Sequence, residues 1–266
     1  MRYLVPGGEK PVYFASQGGA DAALDIGAEF EEREVAIHDA RLLRPPATLD
    51  REGFALLPHP TQVEDFYALN GARASYEAEI AELVLTASGG AEALVFDHTL
   101  RSDSRDIRGA RRSREAASVI HNDYTDASAV KRLHDLLPPA EVERRLQSRF
   151  AIVNVWRSIA GTVLTSPLAC CDAATVQHGD LVAAERRAAD RIGELQLVRW
   201  NPAHRWYYFP EMGRDEVLLI KTFDSAVDGP ARRSIHTAFA NPLAPPDAAA
   251  RESMESRLLV FFRPSA

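Results

Sequence analysis

Two histidines and one aspartate have the types and spacing of a metal site. The triplet His121-Asn122-Asp123 places an imidazole and a carboxylate on the same side of an extended segment. A second histidine from a distant strand, His236, would complete a set of two imidazoles and one carboxylate. That set leaves coordination positions open and is typical of non-haem Fe(II) oxygenases. A His-x-Asp triplet also arises by chance, and His121 is equally explained as a structural histidine at a strand end.

An arginine near the end of the chain has the chemistry of a carboxylate anchor. Ser253 follows Arg251 by two residues, so a guanidinium fork and a hydroxyl could hold one carboxylate together. A 2-oxo acid would chelate the metal with its keto acid end and reach Arg251 with its distal carboxylate. Arg257 is the rival anchor, because it begins the last predicted strand. A surface position is the alternative for Arg251.

Further pocket candidates come from three predicted strands. Asn154 and Trp156 share one face of their strand, whereas Arg157 points to the other. Asn154 could therefore bind the 2-oxo acid or substrate, and Arg157 would be a structural ion-pair partner. His98, Trp156 and Tyr208 are candidate substrate contacts. For each of these three, a structural role in the core is the alternative.

Strands must position these residues, because strand-like segments dominate the second half of the chain. Turn signals such as Asn201-Pro202 and Asp228-Gly229-Pro230 separate many of them. Many strands separated by turns favour a sandwich or barrel over alternating β-α units. We therefore predict a mainly β fold with flanking helices (α+β) and a double-stranded β-helix core, a cupin-like jelly roll. The predicted strands are 93–100, 151–156, 167–172, 195–200, 205–209, 216–223 and 257–262.

Helices are predicted mainly before this β core. Apolar residues at helical spacing predict a helix over 63–88, which Gly71 would divide in two. Shorter helices are predicted over 128–137, 139–147 and 179–191. The charged segment 101–117 is either a mobile loop or a lid that supplies arginines to an anionic substrate.

The domain organisation follows from these elements. We expect a single domain over 1–266. In it, residues 1–60 form an irregular N-terminal arm that wraps the core. Residues 61–150 form a helical segment with the first core strands, and residues 151–266 supply the main jelly-roll strands.

Composition restricts the partners. The chain has 31 Lys and Arg against 38 Asp and Glu, a formal charge of −7, which argues against nonspecific nucleic-acid binding. No apolar run approaches the length of about 18 residues that predicts a transmembrane helix, so we expect no membrane partner. Cys170 and Cys171 are neighbours and too close for an easy disulfide, which favours a reducing cytoplasm. We expect a small-molecule substrate and leave a homodimer open.

The ordered set of motifs resembles the CmcJ/AsaB/NvfI-like (gibberellin-desaturase-like) family of hydroxylases and desaturases. The resemblance covers roughly residues 60–263. The matching stretches are 96–101 (FDHTLR), 121–126 (HNDYTD), 154–157 (NVWR), 166–169 (SPLA), 171–172 (CD), 206–208 (WYY), 216–221 (EVLLIK), 224–225 (DS), 236–239 (HTAF) and 251–253 (RES).

The resemblance implies a double-stranded β-helix fold and oxidation of small secondary metabolites with Fe(II), 2-oxoglutarate and O2. His121, Asp123 and His236 fall on the iron ligands of the family. Arg251 and Ser253 look like the Arg-x-Ser pair that binds 2-oxoglutarate in related oxygenases.

Other functions remain as alternatives. One is a cupin-like metal enzyme that does not use 2-oxoglutarate, and another is a non-catalytic small-molecule-binding protein of the same fold. A methyltransferase fits less well, because Gly89-Gly90 precedes its strand instead of following it.

Overall fold

The computed structural model describes residues 1–189 and 191–264, where strands predominate over helices. In chain order the strands are β1 (Arg2–Leu4), β2 (Val12–Phe14), β3 (Asp25–Ile26), β4 (Phe30–Glu32), β5 (Ile37–Asp39), β6 (Phe54–Pro58), β7 (Glu92–Ser102), β8 (His121–Asn122), β9 (Phe150–Ser158), β10 (Leu168–Cys171), β11 (Leu181–Arg187), β12 (Ile192–Val198), β13 (Trp206–Tyr208), β14 (Glu216–Asp224), β15 (His236–Ala238) and β16 (Glu252–Phe261). The α-helices are α1 (Arg73–Ser88), α2 (Arg105–Arg111), α3 (Asp126–Leu136) and α4 (Pro139–Leu146), and short 3-10 helices span Ala40–Leu42, Phe66–Gly71, Ala173–Thr175 and His178–Asp180.

Two sheets face each other. The larger has nine strands in the order β3-β2-β11-β12-β8-β15-β10-β13-β5, and the smaller has five in the order β6-β14-β9-β16-β7. One buried apolar cluster joins Phe54 and Trp156 of the smaller sheet to Leu168, Cys170 and Ala238 of the larger. Two sheets packed across such a layer form a jelly roll, so the predicted fold class is confirmed.

Helix α1 covers the other face of the smaller sheet. Its buried residues Tyr76, Ile80 and Val84 belong to the same apolar cluster as Val153 and Val155 of β9. Strand β9 is therefore covered on both faces, and all nine of its residues are buried. This explains why its sequence is an almost continuous apolar run instead of an alternating one.

The predicted helices before the β core are confirmed. A 3-10 helix ends at Gly71 and α1 begins at Arg73, so the helical stretch does divide where predicted. Helices α3 and α4 lie within two residues of their predicted bounds. Among the described residues, none of the helices has both the length and the apolar character needed to cross a bilayer.

The helix predicted over 179–191 is wrong. Residues 181–187 instead form β11, which pairs with β12 along its whole length and with β2 at one end. Its alanines, glutamate and arginines favour a helix locally, but pairing on both edges outweighs this preference. The other end of the predicted range includes residue 190, which lies outside the described residues.

Two further expectations need correction. Residues 1–60 are not simply irregular, because β2, β3 and β5 extend the larger sheet and β6 extends the smaller. The charged segment 101–117 is not all loop, because residues 105–111 form α2, capped at its start by the Ser104 hydroxyl.

Candidate metal centre

The structure brings His121, Asp123 and His236 together between the two sheets. Strand β8 pairs with β15 so that His121 lies directly opposite His236. Asp123 follows β8 immediately. One donor atom from each of the three residues lies within 4.8 Å of the others, the spacing of ligands around a single metal ion.

Local hydrogen bonds hold the segment that carries Asp123. The Asn122 amide donates to the Tyr124 carbonyl over 2.7 Å and to Gln196 Oε1 of β12 over 2.9 Å. Thr125 then caps α3 with its side chain, so the chain turns from β8 into the helix within a few residues. Asp123 therefore lies in a short, fixed connection between two elements.

In both imidazoles the hydrogen bond to the chain is made by Nδ1, so Nε2 is available to a metal ion. His121 Nδ1 lies 2.8 Å from the Val119 carbonyl, and His236 Nδ1 lies 3.2 Å from the Ser234 carbonyl. A carbonyl only accepts, so each Nδ1 carries a proton, and Nε2 is the ring nitrogen left to face a metal ion. His236 Nε2 is buried and has no hydrogen-bond partner among the described residues.

The electrostatics keep this set ready to bind a cation. Burial and the neighbouring His236 lower the pKa of His121 to about 3, so its imidazole is neutral at pH 7. Burial opposes ionisation of Asp123, but Arg257 holds the pKa of its carboxyl well below the usual range. Metal binding requires a neutral imidazole and an ionised carboxylate, which are the states favoured here for His121 and Asp123.

Each of the three nitrogens of the Arg257 guanidinium donates a hydrogen bond to a carboxylate. Its Nε donates to Asp123 Oδ2 over 2.9 Å, its Nη1 donates to Asp97 over 2.8 Å, and its Nη2 donates to Glu255. Burial lowers the pKa of Arg257, but these three acids together raise it. The rival anchor of the sequence analysis therefore orients Asp123 and has no free face for a further carboxylate.

Arg251 and Ser253 instead have buried donors without partners. The Arg251 guanidinium is buried above the Trp156 ring and donates only through Nη1, to the Ser166 carbonyl over 2.7 Å. Its Nε and Nη2, and the Ser253 hydroxyl, have no partner among the described residues. Burial and the neighbouring Arg101 lower the pKa of Arg251 to about 10, so it is still charged at pH 7. Unpaired buried donors of this kind fit an anion.

Asn154 faces the centre, as its strand position predicts. Its Nδ2 donates to Asp123 Oδ2 over 2.8 Å, while its Oδ1 has no partner among the described residues. Its role towards a 2-oxo acid or substrate stays a prediction. Arg157 lies on the opposite face, but the ion pair predicted for it is wrong within the described residues. It donates instead to the carbonyls of His59 and Arg214.

The three predicted substrate contacts pack against other side chains of the chain. His98 faces α1 and bonds Ser256 and Glu77, because its position on β7 points away from the inner layer. Tyr208 pairs with Ala169 and packs edge-on against Phe239, on the face of the larger sheet opposite His236. Trp156 is 2% exposed within the apolar cluster between the sheets. Substrate contact by these three residues stays a prediction.

A cavity opens beside the metal candidates. It contains about 850 Å³ of space, part of it continuous with solvent, and both His121 and Asp123 line it. Several of its other residues were not predicted from the sequence, among them Tyr13, Asp97 and Arg186. A signal was available for Asp97, since Asp97, Thr99 and Arg101 alternate with other residues along β7 and so mark one face of that strand.

Comparisons with known proteins agree with this geometry. Residues 1–261 match the family model described as oxidoreductase/YMDC permease-like domain. The chain is 32% identical over 267 residues to hydroxylase/desaturase CTB9 of Cercospora beticola, covering 88% of this chain and 78% of that protein. It is 33% identical over 243 residues to the Fe(II)/2-oxoglutarate-dependent dioxygenase nvfI of Aspergillus novofumigatus, covering 86% and 83%.

A solved structure is also similar to this chain in its backbone fold. The iron and alpha-ketoglutarate-dependent endoperoxidase NvfI superposes with a TM-score of 0.84 at 28% sequence identity. The superposition covers 98% of this chain and 96% of that one, so the similarity includes both sheets and the strands that carry the metal candidates.

Proposed function

The chain belongs to the family of hydroxylase/desaturases and Fe(II)/2-oxoglutarate-dependent dioxygenases that includes CTB9 and NvfI, and we propose that it hydroxylates or desaturates a small secondary metabolite. Its cosubstrates are 2-oxoglutarate and O2. The observation that carries the proposal is the cluster of two available imidazole nitrogens and one carboxylate within 4.8 Å, beside a cavity for a small molecule.

We assign the iron ligands to His121, Asp123 and His236. The support is the chemistry of the donor set, which is the combination of two histidines and one carboxylate used by non-haem Fe(II) oxygenases. The unpartnered, buried His236 Nε2 also fits a metal, because a buried nitrogen without a partner is otherwise unfavourable. Asn154 and Arg257 fix the Asp123 carboxylate by binding its Oδ2, which leaves Oδ1 towards the histidines.

We assign the distal carboxylate of 2-oxoglutarate to Arg251 and Ser253. The free Nε and Nη2 of Arg251 offer two donors and the Ser253 hydroxyl a third. Burial strengthens such charge-assisted hydrogen bonds, because water does not compete for them. Arg257 already has three acidic partners, which supports Arg251 over Arg257 for this role.

When bound, Fe(II) and 2-oxoglutarate supply the activation of O2 that removes hydrogen from a substrate C–H bond. The residues of the chain bind and orient the reactants. His121 and Asp123 line the cavity directly, so a substrate there would lie against the metal centre. The apolar side chains Leu195 and Leu197 form part of the wall and limit the access of water.

The domain organisation and the cellular location of the enzyme are also part of the proposal. We propose that residues 1–266 form one oxygenase domain, supported by N-terminal strands that join both sheets. A cytoplasmic location is supported by Cys170 and Cys171, which are both buried and free.

Formation of succinate from 2-oxoglutarate, with Fe(II) and O2 but no added substrate, tests the proposed function. We expect slow succinate formation by the wild type and none by Asp123→Ala. Asp247→Ala is the matched control, because Asp247 is exposed and forms no ion pair within the described residues, so this variant should behave like the wild type. An iron-loaded wild type that consumes no 2-oxoglutarate would contradict the proposal and favour a cupin-like metal enzyme. Full turnover by iron-loaded Asp123→Ala would contradict the ligand assignment.

A further inference from the structure

We propose that the substrate is an organic acid whose oxyanion group is bound by Arg114 and Arg186, with Arg101 beside them. The inference rests on the proposed function, since it names the substrate class of the same site. It starts from the cavity that His121 and Asp123 line, where these three arginines form another part of the wall.

The arginines approach the cavity from both sheets. Arg101 lies on β7, and Arg114 forms a parallel β-bridge with it, so their side chains leave the backbone on the same side. Arg186 lies on β11 in the larger sheet, where it pairs with Tyr13 of β2 and with Gly193 of β12. All five residues line the cavity. A ligand between the sheet edges would therefore meet guanidinium groups from two directions.

The acidic residues of the cavity wall are already paired with other cations. These pairs are Asp97 and Asp123 with Arg257, Asp135 with Lys131, and Glu194 with Lys10. Within residues 1–189 and 191–264, Arg101, Arg114 and Arg186 form no ion pair with an acid. Glu115 is the nearby acid on the same segment, but its carboxylate accepts a hydrogen bond from the Ser16 hydroxyl over 2.6 Å.

These arginines are partly buried and crowd one another. Burial and the neighbouring Arg101 lower the pKa of Arg114. Burial, Arg257 and Arg114 together lower the pKa of Arg186. Like charges held together in a partly dry site favour an anion among them, and the guanidinium fork matches a carboxylate or phosphate.

The rest of the cavity suits a hydrocarbon body. Leu24, Ile26, Val119, Leu195 and Leu197 contribute apolar wall. Arg251 and Ser253 do not line this cavity, as far as the described residues show, so the proposed 2-oxoglutarate anchor and the substrate anchor are separate. A substrate with a charged head and an apolar body would place C–H bonds beside His121 and Asp123.

A second groove shares Arg114 and Arg186 with this cavity and is also lined by Arg112, Arg132 and Arg191. Its acid, Asp97, is paired with Arg257. A groove with an excess of one sign of charge attracts oppositely charged ligands and raises their rate of entry. The arginines of 112–114 come from the charged segment for which the sequence analysis offered an anion-binding lid as one alternative.

Two dyes of nearly identical shape test the inference. One is 1-anilinonaphthalene-8-sulfonate, which joins an apolar body to an oxyanion, and the other is N-phenyl-1-naphthylamine, the same body without the sulfonate. Fluorescence titration of the Fe(II)-loaded protein with 2-oxoglutarate, under anaerobic conditions, measures the affinity of each. We expect Arg114→Gln/Arg186→Gln to weaken sulfonate binding by about 10-fold or more, because both substitutions remove charge-assisted hydrogen bonds to the oxyanion. Binding of the neutral dye should stay unchanged.

Control variants separate this effect from a general loss of structure. Arg105→Gln removes an exposed arginine of α2 and should leave the binding of both dyes unchanged. If the double variant does not fold, the single variants Arg114→Gln and Arg186→Gln take its place, each with a smaller loss of sulfonate affinity. Displacement of the sulfonate dye by octanoate or octyl phosphate, with octanol as the neutral control, identifies the preferred oxyanion.

The outcomes distinguish this inference from the proposed function. Equal affinity of the wild type for both dyes, or unchanged sulfonate affinity in the arginine variants, would overturn the inference. The absorption band of the Fe(II)–2-oxoglutarate complex, recorded on the same samples, should persist in the arginine variants. Its absence from the wild type, with sulfonate selectivity intact, would overturn the proposed function and leave oxyanion binding in place.

Discussion

The carboxylate of Asp123 depends on its neighbours for orientation. Asn154 and Arg257 both donate to its Oδ2. We predict that Asn154→Ala weakens Fe(II) binding by about 10-fold, because partners that orient a ligand contribute that much or more to metal affinity. Ser158→Ala is the control, since Ser158 lies on the same face of β9 and, within the described part of the chain, its hydroxyl bonds the Gly161 carbonyl alone. Competitive titration with a colorimetric chelator measures both, and equal affinities would contradict the role of Asn154.

The carboxylate anchor gives a separate prediction. Ser253→Ala and Arg251→Lys should each raise the KM for 2-oxoglutarate by about 10-fold, because each removes part of a charge-assisted set of hydrogen bonds. Fe(II) affinity should not change, because neither residue contacts the proposed ligands. Ser256→Ala, on the opposite face of β16 against His98, should leave the KM at its wild-type value. A KM that does not respond to either anchor variant would argue against this subsite.

The sequence identified the three metal candidates because residue type and spacing limit them strongly. It did not decide between Arg251 and Arg257, which both lie near one C-terminal strand. The decision depends on which guanidinium already has acidic partners. Two of the three acidic partners of Arg257, Asp97 and Asp123, lie more than a hundred residues earlier in the chain, so only the folded structure brings them to it.

The turn that follows α1 lies in close contact with β16. A Cβ placed on Gly90 would lie 2.4 Å from Val260 Cγ1, so something must shift to admit it. We predict that Gly90→Ala lowers the free energy of unfolding by about 1–3 kcal/mol, the usual cost of overpacking. Gly71→Ala is the control, since its added Cβ meets nothing within 4 Å and should change stability by less than about 0.5 kcal/mol. Urea denaturation measures both, and a neutral Gly90→Ala would contradict the packing.

The errors in element prediction share one cause. Residues 181–187 have helical composition yet form β11, and residues 12–14 have little periodicity yet form β2 beside it. Both are strands because partners distant in sequence supply their hydrogen bonds. Helices α3 and α4 were predictable because local signals define them, namely a capped start and a proline in the first turn.

A buried ion network connects the N-terminal part of the molecule to the smaller sheet. Lys221, 1% exposed, donates to Asp50 over 2.6 Å and to Asp224 over 2.9 Å. Burial raises the pKa of Asp50, but Lys221 and Arg149 outweigh it and lower the pKa below its ordinary value. A carboxyl with a lowered pKa stabilises the fold above its unfolded pKa of about 4, and this contribution is lost as the pH falls through the folded pKa.

We therefore predict that Asp50→Asn lowers the free energy of unfolding at pH 7 by about 1 kcal/mol or less, because the Asp50 side chain is half exposed. The difference from the wild type should shrink as the pH falls below about 4. Asp247→Asn is the control, since Asp247 is exposed and forms no ion pair within the described residues, so its substitution should show no such pH dependence. Urea denaturation at pH 7 and pH 3 checks this, and a difference that grows in acid would contradict it.

The central claim is that one site between the two sheets holds Fe(II) and 2-oxoglutarate together. Anaerobic titration of 2-oxoglutarate into the Fe(II)-loaded wild type and His121→Ala tests it most directly. We expect the weak visible charge-transfer band of the iron chelate in the wild type, saturating at one equivalent, and no band in His121→Ala. A wild type that binds iron yet gives no band would contradict the claim.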